Sequence, residues 1–353
     1  MLEKFNQVCA VALENKAEDI FLQVGSPPSI RVSGEVLELE ADPIQLDEMS
    51  ALAKLCGHNL ESGDADLSWE SPEGMRYRVN FYSSMGRRCA VLRLLKQVTQ
   101  TISELGLPEE RMHNWFNRRS GLVLVTGATG SGKSTSLASC LNWVIQNSNK
   151  HIVTIEDPVE YILGTGKSIV SQREVGCDTT SFDAGLRSAL RQSPDVILVG
   201  EIRDKETAKA ALHACETGHL VVSTLHSSNV AETFNRMLLL FPEGDRASAR
   251  SVLSKQLIGI LSQKLVPSTN GGMQLLLEHL ESVGVVRKWI QEGEMHQISD
   301  FIKESENNGN LSYLSSVFEA YKANLISEET AKSSCTDPND FNRIKLGLSH
   351  GSR

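Results

Sequence analysis

Apolar and polar positions follow two rhythms along this chain, and the change falls near residue 100. Phe5, Val8, Cys9 and Ala12 recur at i, i+3, i+4 and i+7, the spacing that lays one apolar stripe along a helix. Residues 19–24, 29–32 and 35–39 then read as short strands, separated by the turn signals Gly25-Ser26-Pro27-Pro28 and Ser33-Gly34. Residues 49–55 read as a helix, and 76–82 and 89–95 as two further strands joined at 83–86. Hairpins mixed with helices, without strand–helix–strand alternation, predict a small α+β domain over residues 1–100. Residues 101–118 read as a linker.

From Gly121 the pattern becomes buried strand, turn, helix, repeated. Residues 122–125, 152–155, 196–199 and 220–224 are short, mostly apolar runs, as strands of a parallel sheet covered on both faces are. A helix is expected from about 133 to 145. Beyond 245 the chain reads as mostly helical, interrupted at 267–272. The second domain is therefore expected over 119–353, with an α/β fold built on a parallel sheet.

One loop in this domain carries specific chemistry. Gly127-Ala128-Thr129-Gly130-Ser131-Gly132-Lys133-Ser134 is G-x-x-x-x-G-K-S, with an apolar strand before it and a helix after it. Glycines let successive backbone N–H groups turn inward as an anion nest, and the helix N-terminus adds its dipole. Lys133 is placed to reach the β- and γ-phosphates of ATP, and the Ser134 hydroxyl, followed by Thr135, to meet Mg²⁺. A second signal is the apolar strand 195–199, which runs into Gly200 and Glu201. Many P-loop proteins place Asp where Gly200 stands. Glu201 must then polarise the attacking water, steer the hydrated magnesium, or both. The plainer alternative is a helix cap or an ion pair with Arg203.

Composition narrows the partners. Lys and Arg total 35 against 44 Asp and Glu, a formal net charge of −9, and aromatics are 5%. A nucleic-acid motor needs a basic track with aromatic stacking positions, so none is expected as a partner. No run approaches the roughly 18 apolar residues of a membrane span, and Glu3 and Lys4 interrupt any leader-like start. The seven cysteines include no C-x-x-C pair, which argues against a disulfide framework or a Cys₄ zinc site.

Four further motifs, in order, carry a family resemblance. Glu156-Asp157-Pro158-Val159-Glu160 resembles the aspartate box of the type II/type IV secretion and pilus ATPases. Residues 217–226, with His219 and His226, resemble their histidine box, and residues 193–204 their Gly-Glu Walker B element. Gln172-Arg173-Glu174 and residues 186–192 fit the same pattern. The early Gly25-x-Pro-Pro-x-x-Arg31-x-x-Gly34 and the ending 321–341 are similar to the type IV pilus retraction branch. The missing C-x-x-C insert separates it from the extension branch. Two stretches depart: 18–21 reads Glu-Asp-Ile-Phe, and the retraction signature survives only as Val285-Val286-Arg287-Lys288-Trp289-Ile290-Gln291.

The resemblance implies a RecA-like P-loop ATPase domain preceded by a PAS-like N-terminal domain. It implies Glu201 as catalytic acid assisted by Glu160, and His226 and His219 near the γ-phosphate. It implies Arg78 and Arg93 reaching the nucleotide as the N-terminal domain closes. It further implies a homohexamer that is cytoplasmic and peripheral at the inner membrane, acting on the inner-membrane pilus platform protein without inserting into the bilayer. An accessory retraction or secretion ATPase is the alternative within the family.

Overall fold

The computed structural model describes residues 2–60, 63–71, 74–304, 309–335 and 337–347. The chain divides into two compact units, Met1–Lys96 and Gln97–Arg353.

The first unit runs α1 (Leu2–Glu14), β1 (Asp19–Gln23), β2 (Ser29–Val32), β3 (Glu35–Glu38), α2 (Leu46–Leu55), β4 (Ala65–Glu70), β5 (Arg76–Ser84) and β6 (Arg87–Leu94), with the short strand β7 (Lys96–Gln97) at the division. Six of these strands form one antiparallel sheet in the order β3-β2-β1-β6-β5-β4. Period-2 alternation decides its faces. Tyr77, Val79 and Phe81 of β5 turn inward onto a core shared with Phe5 and Val8 of α1 and Met49 and Leu52 of α2. The intervening Arg76, Arg78 and Asn80 stay part-exposed on the other face. The sequence reading missed β4, whose one large buried side chain is Trp69, too little to show alternation.

The second unit opens with α3 (Glu109–Phe116), β8 (Gly121–Thr126), α4 (Lys133–Asn147), β9 (His151–Glu156), β10 (Tyr161–Ile162) and β11 (Ile169–Glu174). It continues through α5 (Phe182–Ala189), β12 (Val196–Val199), α6 (Lys205–Glu216), β13 (Leu220–Leu225), α7 (Val230–Leu239) and α8 (Glu243–Gln256). The last part holds β14 (Leu257–Pro267), β15 (Met273–Glu281), α9 (Gly284–Glu292), α10 (Met295–Glu304), α11 (Tyr313–Lys322), α12 (Glu328–Ser334) and α13 (Pro338–Lys345). Seven strands order as β11-β9-β12-β13-β8-β14-β15, parallel throughout except for the antiparallel edge pair β14–β15. Every residue of β8, β12 and β13 is buried, which explains their predominantly apolar sequences. Helix α4 covers one face with Leu137, Leu141 and Val144; α6 and α7 cover the other with Ala208, Ala211, Phe234 and Met237.

Two expectations change. Residues 257–267 read as helical but form β14, because Leu257 to Gln263 are buried on both faces and leave no amphipathic signal of either period. The turn to β15 uses Gly271 and Gly272 at φ +84° and +76°. Residues 101–118, read as a linker, carry α3, whose Met112, Trp115 and Phe116 are core side chains of the second unit. Gly259 of β14 is the seat of Trp115: a Cβ there would overlap the indole ring. Gly259→Ala should therefore lower the stability of the second unit by about 1–3 kcal/mol, read as a shifted urea midpoint. An unchanged midpoint would show that Trp115 can move aside.

Candidate nucleotide site

In an open parallel sheet, ligands meet the carboxyl ends of the strands. Here three adjacent strands, β12, β13 and β8, deliver Glu201, His226 and the glycine loop to one edge. The register enforces it: Thr126, the last residue of β8, lies opposite Leu225, the residue before His226.

The loop conformation needs its glycines. Gly127 sits at φ +148°, where a Cβ would strike the Gln263 carbonyl and the Ser131 hydroxyl. Gly132, at φ +87°, is the left-handed N-cap of α4. Thr129 and Gly130 form the exposed tip, whereas Ser131 is buried and its hydroxyl has no hydrogen-bond partner among the described residues. Lys133 folds back across the loop and donates to the carbonyls of Gly127 and Ala128 at 2.9 and 2.8 Å. Burial pushes its ammonium below the ordinary lysine value, against the pull of Glu201 and Glu160. Ser134 lines a cavity of about 40 Å³ with Glu156, Gly200 and Thr224, and the Thr135 hydroxyl lies 2.8 Å from that of Tyr161.

Glu201 is buried with its two oxygens aimed at different neighbours. Oε1 is paired with Arg203, the ion pair the sequence allowed. Oε2 lies 3.2 Å from Nε2 of His226, a close approach without hydrogen-bond geometry. Burial holds the His226 imidazole below its ordinary value, reinforced by the charge of Lys133 and opposed by Glu201. It is therefore a neutral group at neutral pH.

Other candidates are placed differently. Glu160 is exposed, and its charge reaches both Lys133 and Glu156. His219 leaves the group. It precedes β13, a strand's length from His226, and its Nδ1 lies 3.0 Å from the Ala214 carbonyl and 3.1 Å from the Thr217 hydroxyl, closing the end of α6. Arg78 and Arg93 face each other across β5 and β6 in the first unit. Arg93 donates twice to buried Asp19, at 2.7 and 3.2 Å, and Arg78 pairs with Asp66 at 3.3 Å.

Two residues at this edge were not singled out as site residues, although Glu156 opens the aspartate-box motif. Glu156, at the end of β9, accepts from the Thr154 hydroxyl at 2.6 Å and the Gln172 amide at 3.2 Å. Burial raises its carboxyl above the usual range. The signal that found Glu201, an acid ending an apolar strand, would have found it too. Gln263 donates to the Ser136 hydroxyl at 2.7 Å while its carbonyl backs Gly127; it was hidden because its strand read as a helix.

Among the described residues no group of three or more His, Cys, Asp or Glu could hold a metal alone. A magnesium ion coordinated mainly by phosphate and water needs only a hydroxyl and a nearby carboxylate, so Ser134 and Glu201 fit it.

Because Lys133 depresses the His226 value, Lys133→Ala should raise the pH at which the His226 ring protonates, followed by its NMR C–H resonances. No upward movement would mean that the ammonium does not act on the ring.

Comparison with known proteins agrees with this geometry. The family model for type II/IV secretion system protein matches residues 3–293. The type IV pilus retraction ATPase PilT of Pseudomonas aeruginosa is 37% identical over 345 residues, 95% of this chain and 99% of that protein. The type IV pilus ATPase PilU of the same organism is 34% identical over 98% of this chain and 92% of its own length. A crystal structure of the pilus retraction motor PilT with bound ADP superimposes with a TM-score of 0.86 at 38% identity, covering 96% of this chain and 98% of that one. With its glycine loop, acid-ended strand and full-length likeness to these ATPases, the chain belongs to the type II/IV secretion system protein family and is one of its ATPases.

Proposed function

We propose that this protein is the motor ATPase of type IV pilus retraction, converting ATP hydrolysis into disassembly of the pilus. The observation that carries the reading is the convergence of the glycine loop, Glu201 and His226 on three adjacent strand ends, joined to the likeness to PilT along nearly the whole chain.

In this reading the amides of Gly127, Thr129, Gly130, Ser131 and Gly132 receive the phosphates. Lys133 leaves its two carbonyl partners for the β- and γ-oxygens, and Ser134 and Glu201 approach the magnesium, which neutralises charge on those oxygens when bound. Glu201 takes a proton from the water that attacks the γ-phosphorus, with Glu160 assisting. Neutral His226, beside Oε2 of Glu201, is placed to register loss of the γ-phosphate. Arg78 and Arg93 supply positive charge to the transferring phosphoryl group. His219 takes no direct part. The working form is a homohexamer, cytoplasmic and peripheral at the inner membrane, that acts on the pilus platform protein there. No helix among the described residues is long and apolar enough to cross a membrane, which suits a motor reaching the bilayer through a partner.

Glu201→Gln should bind ATP normally and lower kcat by about 10²- to 10⁴-fold, the usual worth of a general base. Combined Arg78→Ala and Arg93→Ala should also retain binding and lose turnover; wild-type turnover in either protein would remove those residues from the mechanism. Deleting the gene should leave excess surface pili and abolish twitching. Loss of pili would instead mark an extension motor, and unaltered pili with weakened twitching an accessory role.

A further inference from the structure

Four hydroxyl groups lie in contact inside the second unit, where aliphatic side chains otherwise fill the space. Ser227, Thr233, Thr126 and Ser262 are 4%, 0%, 0% and 0% exposed. Thr233 Oγ1 is the node: Ser227 Oγ lies at 2.7 Å, Thr126 Oγ1 at 3.3 Å, and the Asn229 carbonyl accepts its proton at 2.8 Å. Thr126 Oγ1 in turn lies 2.7 Å from Ser262 Oγ. The single Thr233 proton is directed to the Asn229 carbonyl and, at longer range, to Thr126 Oγ1, while its lone pairs are open to the Ser227 hydroxyl.

The chain of hydroxyls joins four separate pieces. Ser227 follows His226. Asn229 caps α7, which carries Thr233. Thr126 is the residue before Gly127, and Ser262 precedes Gln263, whose carbonyl backs that glycine. Buried polar contacts are directional and costly to leave unmet, so they fix relative position more tightly than aliphatic packing does. The other side of the same loop is held independently, by Val230 N–H donating to Glu278 of β15 at 2.7 Å.

We infer that Thr233 is a positioning residue: its hydroxyl sets the distance between the phosphate loop and the His226 loop, and thereby the approach of Glu201 and His226 to the γ-phosphate. The inference rests on the nucleotide reading of the site. Thr233 touches no reacting group; it acts through Ser227 and Thr126.

The test compares Thr233→Val, which removes the hydroxyl at nearly constant volume, with Thr233→Ser, which keeps it. Steady-state hydrolysis, binding of a fluorescent ADP and amide exchange at residues 227–230 are measured on the full-length protein beside Glu201→Gln. Thr233→Val should lower kcat between about ten- and a hundredfold, the cost of a small misplacement, with KM and ADP affinity held within about twofold. It should also speed exchange at 227–230, while Thr233→Ser stays close to wild type in all three measurements. Unchanged kcat and exchange in Thr233→Val would overturn the inference, as would equal losses in both variants, which would point to packing of the methyl group. If Glu201→Gln hydrolyses ATP like wild type, the catalytic reading fails by itself, and exchange still decides whether the Thr233 hydroxyl holds the loop.

Discussion

Backbone pairing between β12, β13 and β8 sets the relative positions at the site. These strands are buried on both faces, so a slip of one residue would exchange side chains between the two helix layers and mismatch the close packing of both. Register is thereby fixed by hydrophobic burial far from any ligand. The same register brings the residue after Leu225 level with the start of the glycine loop. Catalytic geometry here is inherited from the packing of Val, Leu and Ile, and the polar residues at the strand ends refine it.

That dependence explains what the sequence made legible. Walker-type elements stood out because a buried strand, a tight turn and a helix start each leave a strong pattern, and the carboxylate of Glu201 interrupts an otherwise apolar run. The strand β14 did not stand out, since a segment buried on both sides has no period to read. With it went Gln263 and Ser262, which support the loop from behind. His219 is the opposite case. It sits in a recognisable motif, yet a six-residue strand separates it from His226, and that strand carries the two rings to opposite edges of the sheet. Spacing along a chain is distance along a strand, whereas spacing along a helix can be adjacency.

The first unit shows how a sheet presents charge. Arg31, Asp19, Arg93 and Arg78 form a row across four strands by register alone. Two guanidinium groups directly opposite each other would repel. Asp19, buried between Arg31 and Arg93, and Asp66 beside Arg78 offset that repulsion. The bidentate contact also fixes the plane of the Arg93 guanidinium.

Gly200 has a consequence for how such a site can change over time. A side chain there would press on the Ile155 carbonyl, the Phe182 ring and the backbone of Glu156, at 3.3 to 3.4 Å from a bare Cβ. The acid pair that many P-loop enzymes carry at the end of this strand would here require the neighbouring strand and the Phe182 ring to give by a few tenths of an ångström. Its descendants meet less resistance in placing a carboxylate at another strand end, as Glu156 illustrates, than in adding one beside Glu201. Local crowding, and not chemistry alone, thus favours a single acid on that strand.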